Sequence, residues 1–430
     1  MSLRGPVLVL CAALSVLGLG ACADDDEETA SPVSDNPRAT SPASDPNATA
    51  APGSSIKLMT LTSETGAVTF KEIPPSARAA AKAINDAGGV NGHPIEILNC
   101  DTRFDPNGTG DCARRAVSEK VTAVIGAASP DGSIYQPILD AAGIPLVGNN
   151  PNSPQEGSGK NSFPISATAL QFVAGGALLK ATGATSVQYL GPNVPAYVGL
   201  LDLVKQLLPQ VGIEFKGSTL YPVDATDYTQ YVTSAYESGA DSVNVTFVTS
   251  AGIPAFVNAI EGGGYSLDET PTTTFGSTFS PDVLDDSRVA KGIEGMYVIN
   301  SGKTPTDDSL PGVKRFHDEI EAAGTEVEYT DAALSVWVSV HTIADLLSKA
   351  EGDVTAPVTL TKALETAGPI EHDAWTPFDW SKPALDAPLS EKFPRYFNPH
   401  FWASRVVNGK AVAAVEQPAR FTGPVTLKDN

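Results

Sequence analysis

Residues 122–148, TAVIGAASPDGSIYQPILDAAGIPLVG, contain the pattern that decides the fold. The short apolar run TAVIGA is followed by a loop of small and polar residues, by a helical stretch near Ser133–Ala142 and by a second apolar run, IPLVG. Short apolar runs that alternate with amphipathic helices are typical of βαβ units, whose strands are parallel and buried. This stretch therefore predicts part of a parallel sheet with helices packed on its faces.

The same alternation extends in both directions. Upstream, SIKLMTL and PIEILNC predict strands on either side of a helix that begins at Pro74 and Pro75, and a further helix is expected around Cys112–Val121. Downstream, the pattern restarts after Ser162, and helices separate the predicted strands SVQYLG, EFKGSTLYPV, DSVNVTFV, TTTFG and GMYVIN. The final runs, FWASRVVNG and KAVAAVEQPARF, predict a hairpin turned by Asn408-Gly409. The fold class predicted is α/β, with two Rossmann-like lobes that have parallel-core sheets and are joined by a hinge.

The length of the chain supports two domains. About 375 residues follow the first 55, which is more than one compact core usually holds. We expect the N-terminal lobe to comprise residues 56–165 and about 300–350. The C-terminal lobe is expected to comprise residues 166–299 and about 351–430, with a cleft between the two lobes.

The first 22 residues, MSLRGPVLVLCAALSVLGLGAC, have the features of an export signal. Arg4 precedes the apolar core Val7–Leu19, which is shorter than the roughly 20 apolar residues of a transmembrane helix. Leu19-Gly20-Ala21-Cys22 resembles a bacterial lipobox, which implies that residues 1–21 are removed and that Cys22 carries a diacylglycerol. An ordinary secretory signal with an accidental cysteine is the alternative.

Residues 22–55 form an acidic tract rich in Pro and Ser with almost no large apolar side chains. Such a composition cannot bury enough surface to offset the entropy of ordering, so we predict a disordered tether. A flexible chain of this length reaches roughly 30 Å. The tract would therefore hold a folded domain near a membrane.

Charge and cysteine content exclude several function classes. The formal net charge of −22 and the pI of about 4.5 argue against nucleic-acid partners and against docking on anionic lipid. Beyond the signal and Cys22, Cys100 and Cys112 are the remaining cysteines, and in an exported chain they suggest a disulfide. A metal pair is the alternative, but no His or Cys cluster completes it. We expect no cofactor and no metal.

Four segments together resemble one family. They are NDAGGVNGHPIEILNCD (85–101), the stretch 122–148, YPVDATDYTQYVTSAYESGADSVNV (221–245) and DAALSVWVSVHTIADLLSKAEG (331–352). They resemble the type I periplasmic-binding-protein family, specifically the leucine/isoleucine/valine-binding branch of transporter substrate-binding proteins. The similarity extends from about Ile56 to about Lys410. It implies hinged closure around a small solute and delivery to a membrane permease with a cytoplasmic ATPase.

These observations predict a lipid-anchored receptor on the outer face of the bacterial cell membrane. The expected function is capture of a small polar solute (an amino acid, an amide or a related carboxylate) for an ABC uptake transporter. The alternative is an extracellular sensor module of the same fold that is not coupled to transport. An enzyme is not expected, because the sequence offers no nucleophile–base pair, GxSxG elbow or HExxH motif.

The loop 128–133, Ala-Ser-Pro-Asp-Gly-Ser, follows a predicted strand and opens a helix. The resemblance implies that this loop binds a ligand carboxylate with backbone N–H groups, hydroxyls and the helix N-terminus. Ser129 is the candidate contact, although it could also be a plain N-cap. Asp131 would repel an anion, so it is either a cap that points away or a sign that the ligand differs.

Two further candidates come from the neighbouring loop, and one follows the first strand. Asn150 and Asn152 belong to Gly-Asn-Asn-Pro-Asn (148–152), which suits both a turn and recognition of a polar solute. Phe70 lies where the family has an aromatic wall, and it is equally suited to be a hydrophobic staple for the helix behind it.

In the second lobe, the resemblance places Tyr197, Thr249 and Thr278 at the cleft. For Thr249, continuation of a strand is the alternative. Thr278 takes the position at which amino-acid-binding relatives have an acid, and a hydroxyl cannot neutralise an ammonium group. Asp282 could replace that acid only if its loop turned back into the cleft. We therefore expect a ligand other than a simple branched-chain α-amino acid.

Overall fold

A computed structural model of the chain describes most of the region after the tether. The chain divides into two units, residues 1–42 and 43–430, and all described residues belong to the second. The described residues are 53–66, 68–129, 131–151, 153–166, 168–276, 279, 281–386 and 389–428. The predicted signal, the predicted lipidation site Cys22 and the predicted tether as far as residue 52 lie outside this set, as do the candidates Asn152 and Thr278.

The first sheet consists of five parallel strands in the order β2-β1-β3-β4-β5. They are β1 (Ile56–Thr62), β2 (Ile95–Asp101), β3 (Ala123–Ala128), β4 (Leu146–Val147) and β5 (Ser162–Phe163). The central strands are buried almost throughout, as expected for a sheet that is covered on both faces. The parallel sheet predicted from residues 122–148 is thereby confirmed.

The second sheet has the order β14-β13-β10-β9-β8-β6-β7, with β15 paired to β13. Its strands are β6 (Ser186–Pro192), β7 (Glu214–Tyr221), β8 (Val243–Val245), β9 (Thr272–Phe275), β10 (Tyr297–Asn300), β13 (His400–Val407), β14 (Lys410–Ala413) and β15 (Ala419–Arg420). Strands β6 to β10 are parallel, whereas β13 is antiparallel to β10 and β14. Asn408 and Gly409 both have positive φ, 51° and 70°, which confirms the predicted hairpin turn. A separate pair is formed by β11 (Pro369–Ile370) and β12 (Phe378–Asp379).

Helices connect these strands. They are α1 (Ile73–Asp86), α2 (Pro106–Ser118), α3 (Gly132–Ala142), α4 (Pro154–Ser158), α5 (Thr168–Ala181), α6 (Pro195–Val211), α7 (Thr229–Tyr236), α8 (Ile253–Gly263), α9 (Ser287–Gly292), α10 (Pro311–Ala322), α11 (Asp331–Ser348), α12 (Pro357–Thr366) and α13 (Leu389–Lys392). Their ends follow local chemistry. The carboxylate of Asp105 caps α2 by accepting from the N–H groups of Asn107 and Gly108, and the Thr330 hydroxyl caps α11 by accepting from Ala333 N.

After β10 the chain returns to the first sheet. Helices α10 and α11 pack with α1, α11 also packs with β3 and α12, and the apolar side chains of all three helices join one core cluster with those of β1. Trp375, Phe378 and Trp380 are buried in the same cluster, where they serve as packing residues. Side chains as far along the chain as Phe397 pack with the first sheet, and β13 begins the final return to the second.

In the described part of the chain, three segments connect the two sheets: 164–167, 301–310 and 381–399. Buried polar groups join them. Asn398 Nδ2 donates to Ile165 O at 2.7 Å and to Thr376 Oγ1 at 2.8 Å, and the Thr376 hydroxyl donates to Ser301 O at 2.7 Å. Asn398 is therefore a hydrogen-bonding link between the crossover segments.

Arg395 covers the free edge of the first sheet. Its Nε donates to Ser162 O at 2.6 Å, and its guanidinium carbon lies 4.4 Å from the ring centre of Phe163. Both contacts are made with β5, the last strand of the first sheet. The side chain thus takes a hydrogen-bonding position that another strand would otherwise use.

Three details differ from the sequence-based expectations. Helix α5 was not predicted, because its residues from 170 to 179 are all buried and show no polar face. The strand predicted over DSVNVTFV is only Val243–Val245. The helix expected around Cys112–Val121 begins earlier, at Pro106, because Asp105 caps it.

Candidate functional site

The strand order places two crevices at the carboxyl ends of the sheets. In the first sheet the chain leaves β1 towards β2 on one side and leaves β3 towards β4 on the other. In the second sheet β6 and β8 have the same relationship. Ligands of open α/β sheets bind outside the carboxyl ends of strands at such switch points. The loops after β1, β3, β6 and β8 are therefore the candidate site. Phe70, Ser129 and Thr249 lie in these loops, and Tyr197 lies in the first turn of α6, just after the loop that follows β6.

The loop after β3 is organised by hydroxyl groups. Ser129 is buried, and its Oγ lies 3.1 Å from Thr109 Oγ1 of α2. Asp131 N donates to Ser129 Oγ at 3.2 Å, while Asp131 Oδ2 accepts from Ser129 Oγ and Thr109 Oγ1, each at 3.3 Å. Asp131 is the residue before α3, but its side chain accepts no capping hydrogen bond from that helix. Ser129 does not cap α3, and the carboxylate of Asp131 is turned towards the two hydroxyls.

The loop after β4 packs against the start of α3. The buried carboxylate of Glu156 accepts from Asn149 Nδ2 at 3.1 Å and from Ser153 Oγ at 2.9 Å. A Cβ built on Gly132 would lie 2.6 Å from Glu156 Oε2, so the two loops are in close contact. Asn150 is half-buried beside this group. The sequence pointed to Asn150 and Asn152, whereas the side chain that the structure buries and fixes is that of Asn149.

Phe70 and Glu72 occupy the loop after β1. Phe70 is half-buried and packs against the first core cluster, and its N–H donates to Ser63 O at 2.7 Å. These contacts agree with a staple for α1, and they leave part of the ring accessible. Glu72 Oε1 accepts from the Thr330 hydroxyl at 3.1 Å, and burial raises the pKa of the Glu72 carboxyl.

The two described candidates near the second sheet, Tyr197 and Thr249, differ in how deeply their side chains are buried. Tyr197 is 3% exposed, its ring centre lies 5.6 Å from that of Phe172, and a Cβ on Gly191 would overlap the ring. Burial raises the pKa of the Tyr197 phenol. Thr249 is half-buried, and its carbonyl accepts from Gly252 N at 3.1 Å at the start of a short turn. The structure therefore places Tyr197 in the core beneath the loops and Thr249 nearer the surface.

Charges around the loops are sparse. The loops after β3, β4, β6 and β8, which span residues 129–131, 148–153, 193–194 and 246–252, contain one ionisable residue, Asp131. The loop after β9, residues 276–286, contains Asp282, Asp285 and Asp286, and all three are exposed. Among the described residues, no group of three or more His, Cys, Asp or Glu side chains is arranged to hold a metal ion. Apart from the exposed carboxylates after β9, the loops thus offer hydroxyls, amides and one carboxylate, which suits hydrogen bonding to a small polar molecule.

Cys100 and Cys112 form a disulfide, which confirms the pairing expected from the sequence. The bond joins the end of β2 to α2, with 5.6 Å between the Cα atoms. It lies on the same helix as Thr109, whose hydroxyl contacts Ser129. The predicted metal alternative for these two cysteines is therefore wrong.

No helix in the described part of the chain is both long and apolar enough to cross a membrane.

Thr109, Asp131 and Asn149 belong to the hydrogen-bonded groups at the loops but were not among the candidates. No local sequence pattern marks Thr109, because its contact residue Ser129 lies twenty residues further along the chain. Asp131 was recognisable as an ionisable residue in a loop otherwise free of charge.

A sequence model of the periplasmic binding protein family matches residues 55–388. A search of curated protein sequences finds no match. Among solved structures, the branched-chain amino acid transporter substrate-binding protein LivJ from Streptococcus pneumoniae, in complex with isoleucine, aligns with a TM-score of 0.65 and 18% identity over 85% of this chain and 99% of that chain.

Two further solved structures are similar in fold. A solute-binding protein of an ABC transporter from Rhodopseudomonas palustris, in complex with p-hydroxybenzoic acid, has a TM-score of 0.67 and 17% identity over 86% of this chain and 98% of that chain. A fatty acid ABC transporter substrate-binding protein from Thermomonospora curvata has a TM-score of 0.68 and 16% identity over 87% of this chain and 95% of that chain. At such identities the likeness concerns the fold.

Proposed function

The chain belongs to the periplasmic binding protein family and has the two-lobed type I fold, and on that premise we propose that it is a lipid-anchored, extracytoplasmic solute-binding protein. It captures a small polar solute, an amino acid, an amide or a related carboxylate, and delivers it to an ABC permease and its ATPase. The observation that carries the proposal is the pair of switch-point crevices, which are lined by hydroxyl and amide groups.

The residues proposed to contact the solute come from both sheets. From the first they are Phe70, Ser129, Asn150 and Asn152, and from the second they are Tyr197, Thr249 and Thr278. Four of them follow the strands that flank the switch points, as the fold requires of a ligand site. No catalytic role is proposed for any of them. The solutes named for structurally similar proteins are isoleucine, p-hydroxybenzoic acid and fatty acid.

Membrane attachment is supported by the sequence of the first 55 residues. A short apolar segment, the lipobox-like Leu19-Gly20-Ala21-Cys22 and a polar tract follow one another in the order that a lipoprotein needs. Because lipid at Cys22 would hold the receptor beside the membrane, a released solute would meet a permease over a short distance. The location proposed is the outer face of the bacterial cell membrane.

A solute screen tests the proposal. The mature chain, purified in detergent and freed of co-purified ligand by mild unfolding and refolding, is surveyed by thermal shift against a metabolite library. We expect at least one small polar solute to raise the melting temperature and to bind in calorimetry with a micromolar or lower Kd. Chemical turnover of the solute, or the absence of any stabilising solute, would contradict the proposal. Genes for a permease and an ATPase beside this one favour transport, and a neighbouring kinase gene favours the sensor alternative.

A further inference from the structure

The carboxylate of Asp131 occupies the place at which the loop after β3 could otherwise accept an anion. A helix N-terminus flanked by hydroxyl donors favours negative charge. Here the two nearby hydroxyls, of Thr109 and Ser129, are both within 3.3 Å of Asp131 Oδ2. The two hydroxyl donors at this loop are therefore already engaged by a negative charge that the chain itself supplies.

The surrounding loops do not compensate for that charge. Those after β3, β4, β6, β8 and β9 contain no Lys, Arg or His. The loop after β1, residues 63–72, contains Glu64, Lys71 and Glu72, and Lys71 is exposed. A carboxylate held here would lie beside like charge, and burying it on closure would be costly without a paired cation.

A second acceptor lies in the neighbouring loop. Asn149 is 1% exposed, and its Nδ2 must face Glu156, because only the NH₂ group can donate to the carboxylate oxygen 3.1 Å away. The amide orientation is thereby fixed, and Oδ1 points away from Glu156. Among the described residues this oxygen has no hydrogen-bond partner. It is a buried acceptor that needs a donor.

Resting on the function proposed above, we infer that the solute presents a nitrogen donor to the loop after β3. The donor is an ammonium, an amidinium or a primary amide, and Asp131 selects this group against a carboxylate. An N–H group satisfies an acceptor that a carboxylate would leave unpaired. It also replaces repulsion from Asp131 by attraction. Selection thus acts both by favouring the correct group and by penalising the wrong one.

Matched probes test the inference on the mature chain in detergent. Each set shares one skeleton and differs in a single group, as benzoate, benzamide and benzamidine do. Thermal shift over these and similar sets identifies the set that binds, and calorimetry measures its members in the wild type and in Asp131→Asn. We expect the nitrogen member to bind the wild type at least tenfold more tightly than the carboxylate, which corresponds to about 1.4 kcal/mol. Asp131→Asn should reduce that ratio at least tenfold.

The control is Asp111→Asn. Asp111 is exposed on α2, where it pairs with Arg114 at 2.6 Å, so its removal changes the net charge equally without touching the loop. It should leave the ratio unchanged. Circular dichroism and melting of each variant verify that it is folded.

The outcomes separate the two proposals. Preferential binding of carboxylates by the wild type supports a solute receptor and overturns the inference. A preference for nitrogen members that survives Asp131→Asn overturns the role of Asp131. No binding by any member of any set, in the wild type or in the variant, counts against both proposals.

Discussion

A hydrogen bond joins Asp331 to Gly302: the backbone N–H of Gly302 donates to Asp331 Oδ1, with 3.3 Å between the nitrogen and the oxygen. Asp331 is the first residue of α11, and Gly302 lies in the second crossover segment, 301–310. The carboxyl group is fully buried, and burial raises its pKa from 3.8 to about 6. The junction between a helix of the first sheet and a crossover segment therefore contains a group that titrates in mildly acidic solution.

Replacing Asp331 by Asn should change how stability depends on pH. Between pH 4 and 6 the folded wild type retains the proton that the unfolded chain has lost, so its free energy of unfolding falls as the pH rises through this window. The Asp331→Asn variant lacks this titration. Relative to the wild type, it should gain about 2 kcal/mol between pH 4 and 7.5, as measured by urea unfolding at both values.

Asp373→Asn is the matched control, since Asp373 is exposed near the same crossover segment. Its pH dependence should parallel that of the wild type. Parallel curves for Asp331→Asn as well would contradict the assignment of this titration to Asp331.

The disulfide should account for a measurable part of the stability. Cys100 and Cys112 close a short loop, and the chain-entropy model gives about 3 kcal/mol for a loop of this length. The double variant Cys100→Ser/Cys112→Ser should therefore unfold at a lower denaturant concentration with a similar slope. Alkylation of the native protein without reduction should label neither thiol. Labelling of both, or equal stability of the two proteins, would argue against a structural bond.

Removing the side chain of Asn398 should weaken the link between the crossover segments. Asn398→Ala deletes the donors to Ile165 O and Thr376 Oγ1, and it leaves the buried N–H of His400 without Asn398 Oδ1. We expect a loss of about 2 kcal/mol in the free energy of unfolding, because buried polar groups lose their partners.

Two variants make this experiment specific. Thr376→Val keeps the shape of the side chain but removes the hydroxyl between Asn398 and Ser301, and it should cost about 1 kcal/mol. Asn107→Ala alters an exposed asparagine and should remain within about 0.5 kcal/mol of the wild type. An Asn398→Ala variant as stable as the Asn107→Ala variant would show that the link is dispensable.

Cys22→Ser should release the protein from membranes. The lipobox-like sequence predicts acylation at this cysteine, and no helix among the described residues is long and apolar enough to anchor the chain in its place. Fractionation of cells that express the variant should move the protein from the membrane pellet to the soluble fraction. Mass spectrometry of the wild type should find a lipid-bearing cysteine at the mature N-terminus. An unmodified N-terminus that begins elsewhere would refute the prediction.

Local sequence predicted most strands and helices because each carried its own signal. Alternating apolar runs, Pro74 and Pro75 at a helix start, and Asn408-Gly409 at a turn are all short-range features. Helix α5 had no such signal, since a helix that is buried on every side loses the periodicity by which helices are recognised.

The candidate site was predictable in outline but not in its contacts. Strand order identifies which loops flank a switch point, and Ser129 and Thr249 lie in the loops after β3 and β8, while their role in binding stays a prediction. The contact between Thr109 and Ser129, and the choice of Asn149 among the asparagines of its loop, depend on how α2, α3 and α4 pack. Contacts that depend on tertiary packing produce no recognisable pattern in the local sequence.

Arg395, at the edge of the first sheet, affects how closely copies of the protein can be packed together. Exposed edge strands are templates on which another chain can add a strand, and that is a common route to aggregation. Arg395 blocks this route at β5, because its guanidinium occupies Ser162 O and covers the ring of Phe163. Copies confined to a membrane surface meet far more often than copies in free solution. Closing this edge would allow such a protein to be displayed densely without forming intermolecular sheets.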